Sequence, residues 1–177
     1  ERVKLIRSHG RQDSKSFFSN PDQSNYVDIG YNWRMSSITA GLGITQLQKL
    51  DKLIKIRQDN AEYISSRLSK FSQITLPKST KQNEHVFQMY TILLENENIR
   101  NSLHEYLLKE KIFSKVYFNP IHLSEFYKQK YSTHEGMLPI TENISKCVLT
   151  LPLYPNMTVE EKNLLIESMS RFFENLD

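Results

Sequence analysis

Side chains able to hold an anion stand close together in Gly30-Tyr-Asn-Trp-Arg-Met35, where the amide of Asn32 and the guanidinium of Arg34 alternate with two aromatic rings. A guanidinium offers two parallel hydrogen bonds that match a carboxylate or a phosphate, so Arg34 reads either as an anion contact or as half of an interface salt bridge. Asn32 follows a glycine, and asparagine tolerates turn conformations, so its plain reading is a residue that shapes the turn. A second group lies in Lys115-Val-Tyr-Phe-Asn-Pro-Ile-His-Leu123, where Tyr117 and His122 are joined a little further on by Tyr127. Isoleucine and leucine flank His122, a setting that suits a buried structural histidine as well as a functional one. Core packing accounts for the two tyrosines equally.

Other chemistries are missing. His85, His104 and His134 have no carboxylate or cysteine at ligand spacing, so no metal site is expected. There is no nucleophile elbow, no Gly-x-Gly-x-x-Gly opening a helix and no Walker loop. Lys49, Lys52 and Lys55 lie on a polar helix face, the wrong place for a desolvated reactive amine. The one cysteine, Cys147, excludes an intrachain disulfide and a cysteine-based zinc cluster, and beside Val148 and Leu149 it reads as core. Lys and Arg number 23 against 20 Asp and Glu, and they are dispersed among the acids rather than gathered on one face, which argues against a nucleic-acid partner. No apolar run reaches the roughly 20 residues that span a bilayer, and no signal-peptide pattern opens the chain, so a cytoplasmic protein with no membrane partner is expected.

The positioning elements follow from periodicity. Glu1-Arg-Val-Lys-Leu-Ile-Arg7 reads as the last turns of a helix closed at His9-Gly10, so the chain is expected to be the back part of something longer. Residues 11–29 are polar and aperiodic, a loop pattern. From Ser36 the spacing of Leu47, Leu50, Ile54, Arg57, Ala61, Ile64 and Leu68 predicts one long helix bent near Asp51, with Arg57 interrupting any coiled-coil seam. Gly41 and Gly43 each weaken that helix by about 1 kcal/mol relative to alanine, so a close backbone approach is expected there. Strands are predicted at 86–94, 113–118 and 148–151, with an amphipathic helix through Ile99, Leu103, Tyr106 and Leu107 and a short helix opened by Pro139. Thr158-Val-Glu-Glu161 is a capping box for a last helix lined by Leu165, Met169, Phe172 and Leu176. Alternating strands and helices imply a small α/β (α+β) unit whose sheet is covered on one face by helices.

The block from Gly30 to Leu53 resembles the "G-Y-N-(aromatic)-R-(M/L)-S … A-x-x-G-x-x-Q-L-x-x-L" segment of the pyridoxal-phosphate-dependent sugar aminotransferases of the DegT/DnrJ/EryC1/StrS family. The likeness also runs through Leu5 to Gly10, Asp59-Asn-Ala-Glu-Tyr63, Tyr90, Lys115 to Leu123 with Phe126-Tyr127, Leu138-Pro-Ile-Thr-Glu142 and Leu149 to Pro155. The order and spacing of these pieces make it specific.

The resemblance implies the C-terminal portion of a fold-type I transferase: residues 1–35 as the end of the large cofactor domain with a dimer-contact loop, 36–70 as a connecting helix, and 71–177 as a small domain around a three-stranded, mainly antiparallel sheet. It implies pyridoxal 5'-phosphate as cofactor, a homodimer, and passage of an amino group from glutamate to a keto-sugar nucleotide in amino-sugar and surface-polysaccharide biosynthesis. Asn32 would then donate its amide to the cofactor phosphate of the partner subunit. Arg34 would meet a substrate carboxylate or phosphate, and His122, flanked by Tyr117 and Tyr127, would line the sugar cleft. No catalytic residue is expected in this segment, because the family's cofactor-holding lysine lies upstream. A sugar dehydratase of the same family, and a non-catalytic dimerisation or sugar-nucleotide-binding module, are the alternatives.

Overall fold

A computed structural model describes residues 1–12, 25–80 and 82–176, and the chain divides into two units, Glu1–Leu50 and Asp51–Asp177. In the first, helix α1 (Arg2–Ile6) ends where His9 and Gly10 take left-handed backbone, and the Gly10 amide donates to the Leu5 carbonyl at 2.9 Å. Strands β1 (Arg11–Gln12) and β2 (Asn25–Tyr26) pair antiparallel at the two ends of the polar stretch expected at 11–29, most of which lies outside the described residues. The chain then returns along the end of α1. Tyr31 N donates to Ile6 O at 2.6 Å, Trp33 N to Arg7 O at 3.1 Å, and His9 N to Tyr31 O at 3.0 Å. Gly30 makes this return possible, because a Cβ there would overlap the backbone of Gly10, His9 and Ile6.

The helix expected over 36–70 is two helices, α2 (Ser37–Leu47) and α3 (Leu50–Leu68), interrupted at Gln48 and Lys49 rather than bent near Asp51. The Lys49 amide reaches only three residues back, to Gln46 O, a tightened turn that an apolar stripe continuing past it does not reveal. Ser36 caps α2, its hydroxyl accepting from Thr39 N at 3.2 Å. Nothing on α2 is buried: Ile38, Leu42, Ile44 and Leu47 are all exposed. Among the described residues nothing makes the close approach expected at Gly41 and Gly43; the space beside both is open.

The second unit is built on the antiparallel sheet β3 (Ile74–Thr75), β4 (Tyr90–Leu94) and β5 (Val148–Leu151), in that order, with Ile92 opposite Leu149 and Ile74 opposite Leu94. Alternation along β4 buries Tyr90, Ile92 and Leu94 and leaves Thr91 and Leu93 half-buried. The core joins these to Ala61, Ile64 and Leu68 of α3, Leu103 and Leu107 of α4 (Glu97–Lys109), and Leu165, Met169 and Phe173 of α7 (Val159–Glu174). Thr158 and Glu161 cap α7 reciprocally, as their spacing requires.

Two strand expectations are corrected. Residues 86–89 are not extended into the sheet, because Phe87 adopts a positive φ that breaks the run before Tyr90. Residues 113–118 meet β5 at one point only, Lys115 opposite Thr150, and Phe113 and Phe118 remain exposed instead of packing; the third strand is β3. Cys147 is half-buried.

Polar groups tie the loops of this unit to its core. Arg57, which interrupts the apolar stripe of α3, donates to the carbonyls of Phe87, Gln88 and Leu153 at 3.2–3.4 Å. After the short α5 (Glu125–Tyr131), helix α6 (Pro139–Cys147) opens on proline without a side-chain cap from Leu138. Glu142 supplies what is missing: its carboxylate turns back to accept from Leu138 N at 3.1 Å and from Gly136 N at 2.9 and 3.0 Å, and it meets His122 Nε2 at 2.9 Å. The hydrogen bond with His122, followed by that from Gly136, holds this carboxyl down from 4.5 to about 2 against the opposing effect of burial.

Gly30→Ala is expected to destabilise the first unit by at least about 3 kcal/mol, since backbone rather than a flexible side chain must give way. Trp33, the single tryptophan of the chain, reports this as an earlier fluorescence transition in denaturant. Glu142 binds its proton more weakly folded than unfolded, so its contribution to stability is complete above about pH 4.5 and fades as the pH falls toward 2. Denaturant midpoints measured across that range should drop for the native sequence, and Glu142→Gln should flatten the drop.

Candidate functional site

Residues 30–34 run extended along the end of α1, so successive side chains point to opposite sides. Tyr31 and Trp33 stack on one side, with centroids 4.3 Å apart and planes 7° from parallel. Asn32 and Arg34 lie on the other, where with His9 and Arg11 they line one open recess of about 280 Å³. Arg34 also borders a neighbouring recess with Arg7 and Ser8. Asn32 is exposed and its backbone is pinned by the bridge to Ser8, yet neither its amide nor the Arg34 guanidinium has a hydrogen-bond partner among the described residues. The Asn32 amide and the Arg34 guanidinium at one recess are donors of the kind that an oxyanion such as a phosphate takes. The sequence pattern pointed to Asn32 and Arg34. It missed Arg11, and it read His9 as a helix end, because the fold joins positions more than twenty residues apart.

In the second unit His122 sits in the 3-10 turn Ile121–Leu123 and retains 9% of its surface. It is held twice: Thr133 Oγ1 donates to its carbonyl at 2.6 Å, and its ring meets the Glu142 carboxylate. Beside Glu142 lies a recess of about 460 Å³ bordered by Arg100, Asn119, Ile121, Glu135 and Lys146. Arg100 is nine-tenths buried, its Nη2 lies 3.4 Å from Glu97, and its Nε is enclosed without a partner.

The ring contacts of Tyr117 and Tyr127 are with other residues. Tyr117 packs on Phe118 with the Lys115 ammonium 5.1 Å above its ring, and Tyr127 lies between Phe126 and Tyr131. Among the described residues no hydrogen bond or ring contact links either tyrosine to His122. Glu142 is the residue that pattern reading overlooked; its signal was a carboxylate four residues into a helix opened by proline, followed by no other cap. No group of three or more possible metal ligands is gathered among the described residues, and none of their helices is long and apolar enough to cross a membrane.

Known proteins resemble the chain over nearly its whole length. It is 29% identical to the UDP-4-amino-4,6-dideoxy-N-acetyl-beta-L-altrosamine transaminase of Campylobacter jejuni, over 99% of this chain and 46% of that protein. It is also 29% identical to the GDP-perosamine synthase of Escherichia coli O157:H7, over 83% of this chain and 39% of that protein. Among solved structures, Helicobacter pylori PseC, an aminotransferase involved in the biosynthesis of pseudoaminic acid, superposes with a TM-score of 0.79 at 26% identity, over 98% of this chain and 46% of that one. The chain thus spans less than half the length of these relatives, and its mixed helix-and-sheet fold is that of the matching part of a fold-type I aminotransferase. Since the model of the DegT/DnrJ/EryC1/StrS aminotransferase family matches residues 1–170, the chain belongs to that family.

Proposed function

We propose that this chain is the C-terminal portion of a pyridoxal-phosphate-dependent transferase that moves an amino group from glutamate to a keto-sugar nucleotide, working as a homodimer. The observation that carries the reading is the recess lined by Asn32 and Arg34 with His9 and Arg11. Asn32 and Arg34 fit the phosphate of pyridoxal phosphate, the amide as a neutral donor and the Arg34 guanidinium as a charged one. When bound, that cofactor supplies the electron sink that amino transfer needs. The residues of this chain bind and orient. Asn32 holds a phosphate oxygen belonging to the partner subunit's cofactor, and Arg34 receives a carboxylate or phosphate of the substrate.

The outward face of the first unit supports a partner. Tyr31, Trp33, Met35, Ile38, Leu42 and Leu47 are exposed in one stretch, more apolar surface than a free segment ordinarily leaves in water. Gly41 and Gly43 lie open within it and leave room for another backbone. His122, Tyr117 and Tyr127 serve the sugar-binding side, with His122 as the fixed member and the two tyrosines offering aromatic faces with polar tips. No lysine of this chain is assigned to hold the cofactor.

The complete protein, including what precedes Glu1, should convert a nucleotide-linked keto-sugar with glutamate to an amino sugar; a deoxy product without nitrogen would establish the dehydratase instead. Asn32→Ala in that protein should weaken cofactor retention roughly ten- to a hundredfold, read by dialysis and visible absorbance, with the fold intact. Undiminished retention would remove Asn32 from the phosphate site. The 177-residue chain alone, mixed with pyridoxal phosphate, should show no absorption band of lysine-bound cofactor.

A further inference from the structure

His122 and Glu142 form a buried pair, with 9% and 8% of their side chains exposed. Such a pair can simply close a loop, but this one has an asymmetry that closure does not require. Both oxygens of Glu142 are engaged by donors: backbone amides reach each of them, and Oε1 also meets the His122 ring. A carboxylate surrounded by amide donors and kept ionised is an acceptor only, so the proton between it and the ring belongs to Nε2. In neutral histidine the other nitrogen then carries a lone pair. Nδ1 has no hydrogen-bond partner among the described residues. It is not sealed off either, because the side-chain atom found both enclosed and unpartnered among the described residues is Arg100 Nε.

The backbone of the same residue is held by Thr133, so turn and ring are both immobilised around an acceptor that nothing among the described residues uses. The ionisable groups bordering the adjacent recess are Glu97, Arg100, Glu135, Glu142 and Lys146, and of these Glu142 is the one that hydrogen-bonds the His122 ring.

We propose that Glu142 is a positioning residue that fixes His122 as the Nε2–H tautomer and presents Nδ1 as a hydrogen-bond acceptor for a hydroxyl of the bound sugar. The tautomer half stands on the geometry alone; the sugar half rests on the function proposed above. A hydroxyl, rather than a phosphate or carboxylate, is the matching group because a lone pair accepts and cannot donate.

Nitrogen-15 spectra of the histidine rings test both halves. At about pH 8, above the ordinary histidine range, His122 should show a protonated Nε2 and an unprotonated Nδ1. A ring protonated on both nitrogens, or on Nδ1 alone, overturns the proposal in the native sequence without recourse to any variant. In Glu142→Ala the share of the Nδ1–H form should rise about tenfold, the loss expected for one hydrogen bond to a charged acceptor; an unchanged share in a folded variant reduces Glu142 to a loop closure. UDP-N-acetylglucosamine added to the complete protein should move the Nδ1 resonance toward the protonated-type value. Saturable binding that leaves Nδ1 unmoved sinks the acceptor role alone, whereas no binding at all, with the tautomer as expected, sinks the sugar half together with the function it rests on.

Discussion

Two backbones meet at Gly10 and Gly30 with no room for a side chain between them, and what the first unit can offer a ligand depends on that contact. It lets residues 30–34 lie extended against the end of α1, anchored by amides on both sides. Extension then does the sorting, placing the aromatic rings on one side and the amide and guanidinium on the other. Any larger residue at position 30 would push the strand off the helix end and scatter the recess. The polar side chains that line it cost the fold little, because they stay in water. A rigid backbone fixes their roots before any ligand arrives.

The second unit solves a different problem, how to hold long loops onto a small core. Its apolar centre is ordinary, a short antiparallel sheet packed with α3, α4 and α7. The loops are tied down by a few buried or half-buried polar side chains that satisfy backbone groups directly. Arg57 gathers carbonyls from two loops, Asn60 holds the Tyr154 carbonyl, and Glu142 gathers amides from the turn ahead of α6. A backbone group left unpaired in such a place costs more than the hydrogen bond that would satisfy it is worth, so each of these side chains specifies one loop conformation. The His122 turn inherits its rigidity from this arrangement.

Membership of the aminotransferase family and the exposed apolar face of α2 are compatible for a physical reason. A helix with apolar residues all round and nothing buried in its own chain is stable only when something else covers it. The chain corresponds to less than half of its relatives' length, and among the described residues none of α2 is buried. Asn32 and Arg34 are exposed on the side of their strand opposite the stacked rings.

Much was legible in the residues themselves wherever the cause is local. The capping box at Thr158, the proline opening α6, the glycine close of α1 and the β5 strand all follow from neighbours a few positions apart, and the family likeness rests on motifs of that same range. Segments whose state depends on distant partners were not legible. Residues 113–118 have strand-forming side chains but find only one pairing position on β5, while the unremarkable pair Ile74–Thr75 pairs with Leu94 and Leu93 at the end of β4. The recess uniting His9 and Arg11 with Asn32 and Arg34 and the clamp of Glu142 on His122 were decided by tertiary structure. Local sequence sets torsions and caps, whereas proximity between remote side chains is set by which backbones can approach, and that is known only once the chain has closed on itself.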